Sequence, residues 1–136
     1  MNDISTETRS VVVEREIPYP PEKIWRALTQ PHLIEEWLMK NDFKPVVGHR
    51  FDLRADWGAV DCRVLEVEPN KTLSYTWAAY GLESVVTWTL TPTSTGTHLR
   101  MEQSGFRPDQ QQAYQGAKGG CTRFFAALEQ VLARTD

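Results

Sequence analysis

Three histidines, two cysteines and a group of large aromatics are the side chains of this sequence with chemistry to offer. His32 falls at the start of a helical pattern, His49 in a turn and His98 on the polar side of an alternating segment. None of these positions gives a ligand spacing, so no metal site is expected. Cys62 and Cys121 have no second pair and no C-x-x-C spacing, which argues against a zinc site and against a disulfide framework. Cys62 alternates with Val60 and Val64, and Cys121 lies on an apolar helical stripe, so both read as small, reduced, buried hydrophobes rather than nucleophiles. The sequence holds no nucleophile elbow, phosphate loop or dinucleotide fingerprint. Hence no cofactor is expected and no catalytic constellation is evident.

The aromatics are more informative. Trp37, Phe51, Tyr75, Trp77, Trp88 and Tyr114 are expected to point inward, where amphipathic rings can wall a pocket and offer an N–H or O–H to a ligand. The same residues also suit a plain core, because interiors are close-packed. Gly116, Gly119, Gly120 and Cys121 leave volume unfilled opposite Trp77, Trp88 and Met101, which predicts a cavity; the alternative is that the glycines let helix and sheet approach closely. Gln103 is the polar group on an otherwise apolar face, able to donate and to accept, and so to orient a carbonyl or hydroxyl; at a strand end it can equally be solvated. Phe106, with Arg54, Asp56, Trp57 and Tyr80, falls in or next to a loop, at a cavity mouth or simply on the surface. The ligand-binding set expected from these residues is Trp37, Phe51, Tyr75, Trp77, Trp88 and Met101, completed by Gln103, Phe106, Tyr114, Gly120 and Cys121.

These side chains must be carried by definable elements. Arg9 to Ile17 contains Val11, Val12 and Val13 and ends at Pro18, Pro20 and Pro21, which marks a strand and a sharp turn. Pro21 suits the first position of a helix with Ile24, Trp25 and Leu28 on its apolar face, ending near Thr29. Pro31 opens a second short helix through Leu33, Ile34, Trp37 and Leu38. From Val46 to Gln103 the period becomes two, as in Leu73-Tyr75-Trp77, Val86-Trp88-Leu90 and Leu99-Met101-Gln103, with turns at Glu68-Pro69-Asn70-Lys71 and Thr93-Ser94-Thr95-Gly96. About five antiparallel strands are expected there, one face buried and one wet. After Pro108 and Asp109, the series Tyr114, Ala117, Cys121, Phe124, Leu128 and Val131 or Leu132 predicts the longest helix, with side chains thinning towards its N-terminus.

A chain of 136 residues has room for one core. A single α+β domain over 9–134 is expected, preceded by a polar extension over 1–8. With 40% hydrophobic and 24% charged residues it is an ordinary folding sequence. Its net charge is −3, with fifteen Lys and Arg scattered among eighteen Asp and Glu, so nucleic acid is not an expected partner. The first residues lack a signal-peptide pattern and no stretch reaches the ~20 apolar residues of a membrane span, which points to a cytoplasmic protein.

The order of elements, with Ile17-Pro18-Tyr19-Pro20-Pro21-Glu22-Lys23-Ile24-Trp25, Glu36-Trp37-Leu38, Val47-Gly48-His49-Arg50-Phe51, Val64-Leu65-Glu66-Val67-Glu68-Pro69 and Ser104-Gly105-Phe106, resembles the START-like (SRPBCC) superfamily. More narrowly it resembles the bacterial proteins grouped with the activator of heat-shock protein ATPase, over about Arg9 to the last helix. The resemblance implies a helix-grip fold, a curved antiparallel sheet wrapped around a long C-terminal helix, with two short helices after the first strand. It also implies a cavity for lipids, polyketides or other apolar small molecules. Relatives include carriers, cyclases and chaperone-binding domains, so a cyclase- or hydrolase-type enzyme and a co-chaperone-like module acting on a chaperone ATPase stand beside apolar binding, as a monomer or homodimer. An enzyme would need a carboxylate or His in the pocket, with Asp56, Asp61 and Glu83 as candidates. Many relatives carry a His where this chain has Gln103 and a Trp where it has Cys121; both departures weaken an acid–base role and favour a roomier pocket.

Overall fold

The structure, a computed structural model, describes residues 8–135; the extension expected over 1–8 lies, but for Thr8, outside the described residues. Strand β1 (Arg9–Ile17) is followed by helices α1 (Pro21–Thr29) and α2 (Pro31–Trp37). Next come the short β2 (Lys40–Asn41) and the strands β3 (Arg50–Ala55), β4 (Gly58–Glu68), β5 (Thr72–Ala79), β6 (Leu82–Pro92) and β7 (Thr97–Phe106). Helix α3 (Gln111–Arg134) closes the chain. The seven strands form one open sheet in the order β1-β7-β6-β5-β4-β3-β2, every neighbouring pair antiparallel. This is the α+β helix-grip architecture expected from the sequence.

The prolines set the two short helices. Pro21 and Pro31 each occupy a first helical turn, where a missing N–H is no loss. A single extended residue, Gln30, ends α1 through its N–H to the Arg26 carbonyl and precedes the first residue of α2. The Trp37 indole N–H donates to the Ala27 carbonyl at 2.8 Å, tying the end of α2 back to α1.

Alternation on the strands selects the core. Val60, Cys62 and Val64 on β4, Leu73 and Tyr75 on β5, Val86, Trp88 and Leu90 on β6, and Leu99, Met101 and Gln103 on β7 are buried on the face towards α3. The opposite face is less wet than expected at one position: Ser74 is buried, its hydroxyl 3.3 Å from that of Thr87 on the next strand. At the end of β7 a bulge shifts the register against β1 between Arg9 and Ser10. Gly105 supplies the φ of +110° that the bulge requires, and a Cβ there would press on the Glu83 carbonyl oxygen at 2.9 Å. The extra residue reverses the alternation, so Phe106 turns into the core.

Helix α3 packs against β1, β7, α1 and α2, with its second half carrying the fully buried Phe125, Leu128, Val131 and Leu132. Its first half carries no fully buried side chain before Cys121.

Candidate functional site

Where the first half of α3 stands over β5 and β6, a cleft of about 520 Å³ opens. Two i, i+4 rows of the helix face it: Ala113, Ala117 and Cys121, and Gly116, Gly120 and Phe124. Across from them stand Trp77, Trp88, Met101 and Gln103, with Trp37 and Met39 closing the inner end. A Cβ added at Gly116 would meet nothing within 4 Å, and at Gly120 only a guanidinium nitrogen of Arg123 at 3.9 Å. These glycines therefore do not serve a close approach of helix and sheet; their missing side chains are part of the open volume.

The mouth is built from two hairpin tips. Tyr80 and Gly81 form the two-residue turn between β5 and β6, with φ of 49° and 84°, the pair of positive angles that matches the twist of a tight hairpin. The Tyr80 hydroxyl donates to the Trp57 carbonyl at 2.7 Å on the β3–β4 tip, and the two rings lie 6.0 Å apart. Gly58, at φ +142°, leaves room for that hydroxyl. Gln110, just before α3, donates to the Gly81 carbonyl at 3.2 Å, so the helix start and the sheet tip are fixed to each other. Tyr80 is nevertheless 81% exposed and Trp57 52%.

Polar groups within the cleft are few and buried. Trp88 Nε1 donates to the Tyr75 hydroxyl at 3.2 Å. Gln103, 5% exposed, donates from Nε2 to Ser84 Oγ at 2.9 Å and accepts at Oε1 from the Cys121 thiol at 3.4 Å. It is thus a bonded interior residue rather than a solvated strand end. Burial pushes the Cys121 thiol up to about 11 and raises Cys62 further, with Asp61, Asp52 and Asp42 adding to the effect at Cys62. Both thiols stay protonated near neutrality. Burial also raises the Tyr75 phenol, against the opposing pull of the Trp88 hydrogen bond, so that side chain is neutral.

Of the eleven residues picked from the sequence, Trp37, Tyr75, Trp77 and Trp88 meet around the cleft together with Met101, Gln103, Gly120 and Cys121. Phe51, Phe106 and Tyr114 do not line it. Phe51 lies behind the wall, edge-on to Phe43 and Tyr75 at 5.0 and 5.6 Å. The Gly105 bulge directs Phe106 into the core instead of the mouth, where it meets Tyr114 edge-on at 5.6 Å. Tyr114 in turn is covered by Arg9 and Lys118 on its far side.

Sequence reasoning left out Leu82, Val86, Ala113 and Ala117, and gave Trp57 and Tyr80 as either mouth or surface; both border the cleft. The two alanines were legible as the i−4 series leading to Cys121, and Val86 as the in-phase neighbour of Trp88. The candidate carboxylates lie elsewhere. Asp61 and Glu83 border a second depression of about 510 Å³, together with Arg50 and Arg63, and that site is on the opposite face of the sheet. Asp56 is exposed on the β3–β4 tip. Arg123 is the one charged side chain lining the cleft. Among the described residues no group of three or more His, Cys, Asp or Glu could hold a metal, and no helix is long and apolar enough to cross a membrane.

Comparison with known proteins agrees with this fold. Protein MLL2253 from Mesorhizobium loti is 72% identical, with 94% of this chain and 99% of that one covered and a TM-score of 0.91. DynU16, a putative protein in the dynemicin biosynthetic locus, is 26% identical over 92% of this chain with a TM-score of 0.83; the match covers 47% of that longer chain. The Aha1 dimer from Colwellia psychrerythraea, at 22% identity, shares the fold with a TM-score of 0.82, over 91% of this chain and 96% of that one. No curated protein matches. Residues 18–133 match the family described as Activator of Hsp90 ATPase homolog 1-like protein, and the chain belongs to that family.

Proposed function

We propose that this protein binds an apolar small molecule, a lipid, polyketide or aromatic compound, in the cleft between its sheet and the first half of α3. The observation that carries the reading is the pairing of Gly116, where a Cβ would meet nothing within 4 Å, and Gly120, where it would meet only the end of Arg123, with Trp77, Trp88 and Met101 on the facing sheet. Helical glycine costs about 0.5–1 kcal/mol relative to alanine, and here that cost is offset by no tighter packing, so a cavity is what it maintains. An occupant burying ~300 Å² of apolar surface would gain about 7 kcal/mol before the costs of association. Screening by thermal shift and native mass spectrometry against lipids, polyketides and polycyclic aromatics is expected to give a bound, stabilised complex. Silence across such a panel would sink the reading.

The family description favours a second reading, a co-chaperone-like module acting on a chaperone ATPase. It predicts that adding the purified protein raises the ATPase rate of purified Hsp90. An unchanged rate removes it and leaves the first reading untouched. Monomer or homodimer is the expected assembly, which light scattering distinguishes.

A further inference from the structure

The polar atoms inside the cleft are not evenly satisfied. Trp88 Nε1 is a donor only, so at 3.2 Å from the Tyr75 hydroxyl it makes that oxygen the acceptor and turns the Tyr75 proton elsewhere. Among the described residues no acceptor takes that proton, although Tyr75 is 5% exposed and borders the cleft. The Gln103 amide is oriented by a similar chain. Ser84 Oγ donates to the Trp77 carbonyl at 2.9 Å, which spends its proton, so it accepts from Gln103 and fixes Nε2 on that side. Oε1 then faces the Cys121 thiol at 3.4 Å, and the second Nε2 proton has no partner among the described residues.

The strand register places these two groups on one row. Tyr75 pairs with Val86 and Val86 with Gln103, so one row crosses three neighbouring strands with a donor at each end and an apolar side chain between them. Two strand spacings separate the ends by about 10 Å. A buried donor without an acceptor is costly, whereas a carbonyl oxygen with one of its two lone pairs used is tolerated. The unmet need in the cleft is therefore for an acceptor.

Resting on the binding role proposed above, we infer that the cleft selects ring compounds bearing a carbonyl, with Tyr75 as the specificity-determining donor and the Gln103 amide as the second. A plain hydrocarbon of the same shape offers neither proton an acceptor, whereas one carbonyl meets the Tyr75 proton and a second acceptor across the ring system would meet the Gln103 amide.

The test uses the intact protein with fluorenone and fluorene, a matched ketone and hydrocarbon, titrated by calorimetry. Fluorenone is expected to bind about tenfold more tightly, the discrimination of one net hydrogen bond. Tyr75→Phe is expected to abolish most of that preference while still binding fluorene. The carbonyl stretch of bound fluorenone supplies a readout that needs no variant to fold: it should fall to lower frequency in the wild-type complex than in hexane. Equal affinities for ketone and hydrocarbon, or a stretch matching that in hexane, would overturn the inference while leaving apolar binding intact. A preference retained in Tyr75→Phe overturns the role of Tyr75. Binding of neither compound overturns the inference, and failure of the wider panel as well overturns the binding reading beneath it.

Discussion

The two halves of α3 belong to one helix yet do opposite work. From Phe125 to Leu132 its apolar residues are sealed against α1, α2 and the sheet, with Phe125, Leu128, Val131 and Leu132 each at 0% exposure. From Ala113 to Gly120 it presents alanine and glycine across an open gap to tryptophans. The contrast teaches that stability in this family member is concentrated at one end of the helix, which frees the other end to leave space unfilled. Cys121 sits at the junction, buried by the core on one side and bonded to Gln103 in the cleft on the other.

The sharpest way to break the contrast is to weaken the sealed half. Leu128→Ala is expected to cost about 2–5 kcal/mol in urea unfolding, as for other fully buried leucines. A cost below about 1 kcal/mol would mean that the second half is no better packed than the first.

Filling the open half should have the reverse outcome. Gly120→Leu places a Cβ where only a guanidinium nitrogen of Arg123 lies within 4 Å, so the fold should gain about 0.5–1 kcal/mol from helix propensity while the affinity for any cleft ligand falls at least tenfold. Loss of stability instead, with ligand affinity unchanged, would show that the gap lies somewhere other than under this residue.

The smallest effect probes the junction. The Cys121 thiol is raised from 9.0 to about 11 by burial, so the folded protein holds that proton more tightly than the unfolded chain. The corresponding stability is fully present below pH 9 and is lost as pH rises towards 11. Cys121→Ala should therefore lose less stability than wild type between pH 9 and 11 in parallel denaturation curves. Identical slopes would place Cys121 in contact with solvent.

Much of this arrangement was readable from the residues. The prolines at 18, 20, 21 and 31 mark the two short helices, and the period-two runs from Leu73 to Gln103 assign faces, because proline geometry and strand alternation are local rules. Of the three α3 glycines read as leaving volume unfilled, Gly116 and Gly120 border the cleft, whereas Gly119 lies beside the Arg123 guanidinium. What escaped was non-local. Phe106 was misplaced because one bulge residue reverses the alternation after Gly105, which no pattern count reveals. Tyr114 and Phe51 are aromatic and inward-facing, but Tyr114 meets Phe106 and Phe51 meets Phe43 and Tyr75, partners that no local pattern names. Trp57 and Tyr80 read as either cavity mouth or surface because they lie in loops; the bond between the two hairpin tips makes them a rim.

Four of the chain's five tryptophans, Trp37, Trp57, Trp77 and Trp88, border the same cleft. The molecule thus carries its own optical probe, with indoles from the innermost wall to the solvent edge. Trp37 and Trp88, edge-on at 5.5 Å, are close enough for their electronic transitions to couple. Occupancy should be legible in the intrinsic emission and near-ultraviolet circular dichroism of the unlabelled protein, so a search for its natural ligand can begin without any reporter being attached.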